Sequence, residues 1–401
     1  MKEPKIVVIL LAGGRGERLL PLTGHRAKPA VPFGGKWRIV DFVLSNCLHS
    51  GLSDILISTQ YKSASLWDHL DLGWGDIFVR ERGERLSSIQ PQQRTTKELK
   101  PYEGTADAVY ENIYSLSRAK PSFVLILASD HIYRMDYREL IRFHQEKKAE
   151  LTIAAVEVDR ELAKGNLGVL TRNSKGRAVG FEEKPENPEA LSGNPGKCLA
   201  SMGIYIFSSR ALVEELTKDA ENTESEHDFG KNIIPQMIGA KKRVFVFSFQ
   251  SYWRDIGTIE AYYLASMDLV SISPEFNLHD QSWPWLTSRR NLPPAKTVFG
   301  LKTASSIISE GCLIDEAEIY HSILCSSIKI GRNVRISDSI IFPEVQIGDN
   351  VEIAKAIIDK ENIIPDGSII RADNMKYDGK FEKRSSGIII VPRHHDFSSW
   401  P

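Results

Sequence analysis

The sequence is poor in cysteine, almost balanced in charge and without any long apolar run. Its four cysteines, Cys47, Cys198, Cys312 and Cys325, are scattered through 401 residues. No CxxC pair occurs, and no histidine stands beside them at metal-ligand spacing, so a disulfide framework is excluded and reduced cytosolic thiols are expected. Lys plus Arg number 51 and Asp plus Glu 52, for a net charge of −1, so the basic footprint of a nucleic-acid or anionic-membrane partner is missing. The apolar run Ile6 to Ala12 falls far short of the roughly 20 residues that span a bilayer. It runs into Gly13-Gly14 without a signal-peptide cleavage region. A soluble, cytoplasmic protein with no nucleic-acid and no membrane partner is expected.

What is present is a large potential core. With 42% hydrophobic and 26% charged residues, the length suggests about two or three domains. From Ile6 to about Asp255, β-branched runs alternate with amphipathic stretches. Strands are expected at Ile6–Leu11, Asp54–Thr59, Phe123–Ala128, Leu151–Val158, Gly203–Phe207 and Arg243–Phe249. Helices are expected at Val40–Ser50, Thr105–Ala119, Tyr137–Lys148 and Ala211–Lys218. Such alternation predicts an α/β domain over 1–270, with a mostly parallel sheet and ligands beyond its carboxyl ends. The stretch 271–304, rich in Pro and Trp, reads as an ordered connector. Over 305–401 a six-residue apolar period takes over, through Ile307, Leu313 and Ile319, Val334 and Ile340, then Val351, Ile357, Ile363 and Ile369. With Gly, Asp and Asn at the corners, that period predicts a hexapeptide β-helix; ordinary antiparallel strands would show a period of two.

The first strand ends in Gly13-Gly14-Arg15-Gly16-Glu17-Arg18, where three glycines let backbone N–H groups close around a polyphosphate and two arginines add charge. It is neither GxGxxG nor a Walker A loop, and a glycine-rich turn alone is weak evidence. Arg26-Ala27-Lys28-Pro29 adds further cations, which favours phosphates over a plain turn. Asp130, at the end of the strand Phe123–Ala128, suits Mg²⁺, which takes few protein carboxylates and shares itself with substrate phosphates. Asp255 is a second such carboxylate, and either residue alone reads equally as a helix N-cap. Lys184 and Ser201 suit a hexose phosphate, although each alone is more often a surface or turn residue.

The blocks LAGGRGERL (11–19), RAKPAVPFGGKWRIVDFVLSNC (26–47), GTADAVYEN (104–112), SDHIYRMDY (129–137), FEEKP (181–185), ASMGIYIF (200–207), HDFGKNIIP (227–235) and YWRDIGTIEAYY (252–263) resemble, in this order, the ADP-glucose pyrophosphorylase family of sugar-nucleotidyltransferases. The first block and EKP occur across sugar-nucleotidyltransferases; block 26–47, ASMGIY and YWRDIGT are more particular to the ADP-glucose branch. The resemblance implies a Rossmann-like nucleotidyltransferase domain followed by a left-handed parallel β-helix, assembled as a homotetramer. It implies that ATP is bound by Gly13, Gly14, Arg15 and Lys28, with Gln92 and Gln93 near the adenine. It places Mg²⁺ on Asp130 and Asp255, and glucose 1-phosphate on Tyr102, Gly168, Glu183, Lys184 and Ser201. Catalysis would rest on Arg15, Lys28, Asp130 and Asp255. Rival expectations are a UTP- or dTTP-using enzyme on the same fold and a non-catalytic regulatory subunit.

The sequence departs from the family at Ser129, where Gly is usual and an added Cβ would crowd a nucleotide, and at Leu167, where Phe is usual. The stretch Thr95–Lys100 differs in length and charge. His25 and Pro101 replace a Lys and a Trp linked to activator response in some enteric members. Small anionic effectors bind between the two domains in the family, and Arg26, Arg38 and Arg393 are the cations expected to meet there. Weak or absent activation by fructose 1,6-bisphosphate is expected, with another phosphometabolite preferred.

Overall fold

The computed structural model describes residues 4–78, 83–91, 101–374 and 381–397. A nine-stranded mixed sheet organises the first domain. The strand Ile6–Leu11, continuously apolar and flanked on both sides, lies parallel to Asp54–Ser58 and to Phe123–Ala128. Such runs suit strands buried on both faces, and one apolar cluster lies on each side of the sheet. Beyond Phe123–Ala128 the sheet turns antiparallel through the long strand Lys197–Ser208, which also pairs with Leu151–Asp159. Arg85–Ile89, Val169–Arg172 and Ala178–Glu182 are strands that the sequence pattern does not announce. The expected helix Thr105–Ala119 is two, Thr105–Tyr110 and Ile113–Ala119.

The register of Lys197–Ser208 against Leu151–Asp159 slips between Ser201 and Ile204. Gly203 sits in that bulge at φ +65, and a Cβ there would lie 3.0 Å from Ala128 Cβ. Glycine is the residue that tolerates both constraints.

The Pro- and Trp-rich segment lies against the helix Ile39–His49. Trp283 Nε1 donates to Asn46 Oδ1 and Thr287 Oγ1 to Asp41 Oδ2, both on that helix. The strand Lys296–Ala304 pairs in parallel with Leu313–Tyr320 and thus extends the β-helix to residues that the apolar period does not reach. Most of its side chains are exposed, which is why no period marks it.

In the β-helix, partners in successive coils follow one another every 16 or 17 residues, as Ile314, Ile330, Ile347 and Ile364 do. The six-residue period is correct, but its phase is off by one on this face. Leu313 and Ile363 are exposed while Ile314 and Ile364 are buried. In two-residue strands such as Lys329-Ile330 and Gln346-Ile347 only the second side chain points inward. All four cysteines are buried and form no disulfide, and among the described residues no helix is long and apolar enough to cross a membrane.

Candidate active site

The carboxyl ends of Ile6–Leu11 and Phe123–Ala128 open onto a cavity of about 480 Å³, lined by Gly14, Arg15, Gly16, Arg18, Lys28, Ser129, Asp130 and Gly257 among others. The glycine in the left-handed region is Gly16, at φ +68. A Cβ on Gly14 would meet nothing within 4 Å, and one on Gly13 only Gln60 at 3.5 Å. Backbone strain therefore calls for Gly16; at Gly14 the missing side chain leaves the loop open to the cavity. Arg15 is exposed, its guanidinium 5.2 Å from the Tyr61 ring centroid and 3.6 Å from Glu17.

Asp130 and Asp255 are not helix caps. Asp130 precedes the strand His131–Tyr133 and Asp255 ends the strand Trp253–Asp255; the following helices are capped by Asp136 and Thr258. The two short strands pair antiparallel with Asp255 opposite His131, and Ile256 N–H donates to Asp130 O at 3.2 Å. A two-stranded ribbon thus brings together carboxylates 125 positions apart in sequence.

Lys28 is largely buried, and its Nζ lies 2.6 Å from Asp130 Oδ2 and 3.8 Å from Asp255 Oδ1. Burial, the largest single influence, acts to raise the Asp130 pKa, but the charge and hydrogen bond of Lys28, together with His131, outweigh it and hold the carboxyl well below the usual carboxylate range. Ligand atoms of Asp130, His131 and Asp255 all lie within 4.8 Å of one another, which is the spacing a single divalent cation needs. His131 belongs to this group and was not singled out in the sequence; only the pairing of distant strands reveals it. Ser129 does not crowd the cavity with a free hydroxyl, since its Oγ donates to Leu11 O at 2.6 Å and ties the ends of the two central strands together.

A second cluster joins Glu183, Lys184, Gly168, Ser201 and Tyr205. Ser201 N–H donates to Gly168 O at 2.8 Å, and Ser201 Oγ lies 3.3 Å from Tyr205 OH. The Glu183 carboxyl occupies space that side chains on Gly168 or Gly230 would fill, at 2.8 and 2.4 Å from their ideal Cβ positions. Burial raises the Glu183 pKa while Lys184, 3.4 Å away, opposes the shift. Tyr102 is half-buried, and its OH accepts from Asn112 Nδ2 at 3.2 Å. Gln92 and Gln93, and Thr95–Lys100, lie outside the described residues.

Of the three arginines expected in an effector cleft, only Arg38 reaches one. It lines a cleft with Lys36, Arg290 and Lys360, between the first domain and the β-helix. Burial pushes the Lys360 pKa down to about 8, helped by the neighbouring charges of Arg38 and Arg26. Arg26 is instead buried, with Nη2 2.8 Å and Nη1 3.2 Å from the Asp359 oxygens. Arg393 is held in a fork by Glu361, at 2.6 and 2.7 Å. An acid from the β-helix claims each of these two guanidinium groups, which is why the expected convergence of three cations is not found.

The geometry agrees with what the chain is similar to. The nucleotidyl transferase family matches residues 7–271, and the family described as GlmU-like, C-terminal hexapeptide matches residues 293–391. Relatives named glucose-1-phosphate adenylyltransferase include one from Rhodopirellula baltica, 46% identical over 83% of this chain and 77% of its own length. Another, from Methylococcus capsulatus, is 45% identical over 96% of this chain and 92% of its own. A third, from Koribacter versatilis, is 42% identical over 98% and 96%. A glycine loop, two carboxylates on a ribbon and a β-helix, matched at this identity along nearly the whole length, make the chain a member of the nucleotidyl transferase family and, within it, of the glucose-1-phosphate adenylyltransferases.

Proposed function

We propose that the chain transfers the adenylyl group of ATP to glucose 1-phosphate, releasing pyrophosphate and giving ADP-glucose for glycogen or a related α-glucan. The observation that carries this reading is the juxtaposition of Lys28, Asp130 and Asp255 at the mouth of the glycine loop. A phosphate oxygen of the sugar attacks the α-phosphorus in line, and pyrophosphate leaves from the opposite side. No protein nucleophile is required, so catalysis consists of positioning and of charge neutralisation. Arg15 and Lys28 neutralise the polyphosphate, and Gly13 and Gly14 leave their backbone open to it. Lys184 offsets the charge of the sugar phosphate, so that two polyanions can approach each other. Asp130 and Asp255 would hold Mg²⁺, which supplies Lewis-acid charge to the phosphate oxygens when bound. Tyr102, Gly168, Glu183 and Ser201 complete the sugar pocket, and Gln92 and Gln93 approach the adenine.

The same reading includes control by a small anion. The cluster of Lys36, Arg38, Arg290 and Lys360 lines a small cleft, about 30 Å³, and its cations suit the phosphate group of an anionic effector. With His25 and Pro101 in place of Lys and Trp, fructose 1,6-bisphosphate is a weak activator or none. A cytoplasmic homotetramer is the assembly that the family resemblance supports.

The purified chain alone, given Mg²⁺, glucose 1-phosphate and each of ATP, UTP and dTTP, should form a sugar nucleotide efficiently only from ATP. Preference for UTP or dTTP would reassign the nucleotide. Absence of any turnover would make the chain a regulatory subunit.

A further inference from the structure

His131 stands among the groups just described, and its surroundings define a role for it. Residues directly opposite in an antiparallel pair carry their side chains on one face, and the ribbon sets His131 opposite Asp255. His131 Nε2 lies 3.4 Å from Asp130 Oδ1 and 3.6 Å from Asp255 Oδ1. The other ring nitrogen, Nδ1, is buried and has no hydrogen-bond partner among the described residues. The ring packs edge-on against Trp253, with centroids 5.0 Å apart. On another side is Gly203, where a Cβ would lie 3.4 Å from His131 Cε1.

The two ring nitrogens meet different surroundings. A proton on Nδ1 would be a buried N–H without an acceptor, and leaving a donor unmatched in that way costs free energy. An N–H on Nε2 instead faces one oxygen of each carboxylate. A ring nitrogen that carries a proton has no lone pair to offer a metal ion. Both distances are longer than a made hydrogen bond, so the N–H serves as a positive pole shared by two oxygens rather than as the full partner of either.

We propose that His131 is a positioning residue for the two carboxylates and not a third ligand: it holds Asp130 and Asp255 at the separation that one divalent cation bridges. The inference rests on the reading of Asp130 and Asp255 as the metal ligands. It gives the ribbon and the Gly203 bulge a common purpose. The pairing aligns His131 with Asp255, Trp253 and the bulge fix the ring, and the ring spaces the carboxylates. Lys28 approaches Asp130 through Oδ2 and Asp255 through Oδ1, so on Asp130 it and His131 act on different oxygens, and on Asp255 on the same one.

Mn²⁺ bound to the full chain with ATP, in the absence of glucose 1-phosphate, is followed by electron paramagnetic resonance. The native protein should show no coupling to a directly coordinated nitrogen. His131→Ala should weaken Mn²⁺ retention by about 10- to 100-fold, as losses around metal ligands do. His131→Gln, whose amide N–H reaches the same region, should recover most of it and keep a melting curve close to the native one. Asp130→Asn and Asp255→Asn should each lose the bound ion. A directly coordinated nitrogen that disappears in His131→Gln would make His131 a ligand and overturn the proposal while leaving the metal site standing. Native retention in His131→Ala would overturn it as well. Native retention in both carboxylate variants would remove the metal site itself, and the proposal with it.

Discussion

At the scale of single residues, charge in the site is held by pairing. Asp130 is half-buried, yet Lys28 keeps it ionised, so a carboxylate oxygen is ready for a cation without first losing a proton. Asp130→Asn and Asp255→Asn keep shape and volume but each remove one of the carboxylates proposed to hold Mg²⁺. Turnover should fall by about 100-fold or more, several kcal/mol of transition-state stabilisation, with circular dichroism unchanged. Near-native rates at saturating Mg²⁺ would remove these residues from catalysis. Lys184 is about half exposed and adopts φ +51, with Glu183 beside it. Its charge is assigned to the sugar phosphate, so Lys184→Gln should raise the KM for glucose 1-phosphate far more than that for ATP. Equal effects on both substrates would place Lys184 at the nucleotide or in a purely structural role.

At the scale of elements, the β-helix offers a direct comparison between neighbours. Ile363 is 65% exposed and Ile364 is 1% exposed in the same two-residue strand. Ile364→Ala should cost about 2–5 kcal/mol, through lost burial and the cavity left behind, whereas Ile363→Ala should change stability by no more than about 0.5 kcal/mol. Urea unfolding of both variants checks this, and equal costs would restore the phase read from the sequence. The period was legible because every coil repeats its apolar positions. The phase was not, because at Leu313-Ile314 and Ile363-Ile364 only the second of two adjacent residues faces inward while both are aliphatic. The central strands were legible as β-branched runs buried on both faces. Arg85–Ile89, Val169–Arg172 and Ala178–Glu182 carry too many polar and small residues to announce themselves. Lys28, Asp130 and Asp255, which the fold brings together, stood out through their motifs, but His131 gains its meaning from Asp255, and Arg26 and Arg393 lose theirs to Asp359 and Glu361. Those partners are brought together by tertiary structure alone.

At the scale of the whole molecule, one apolar cluster runs through both domains and the segment between them, including Phe33, Phe42, Tyr262, Trp285, Phe342 and Ile390. The buried pair of Arg26 and Asp359 crosses the same boundary, two residues from Lys28 in the active site. A change at the β-helix therefore has a short path to Lys28 in the candidate site. Lys360, next to Asp359, lines the cleft with Arg38 and Arg290, while Arg290 is paired with Glu344 at 3.1 Å. Its pKa in the fold is about 8, below the 10.5 of a free side chain. The sign of the pH effect follows. A lowered pKa means that the fold disfavours the charged ammonium; this penalty is complete below pH 8 and fades as pH rises towards 10.5. An anion in the cleft favours the charged form, so its binding raises the pKa and takes up a proton above pH 8. Inorganic phosphate, titrated by calorimetry, should bind with nearly constant affinity from pH 7.5 to 8 and then weaken, by at most about tenfold per pH unit for one linked proton. Lys360→Gln should bind more weakly and lose this dependence. Arg38→Ala should lose most binding, and Arg393→Ala, whose guanidinium is already held by Glu361, should keep it. A flat profile in the native chain, or the reverse order of the two arginine variants, would remove the anion from this cleft.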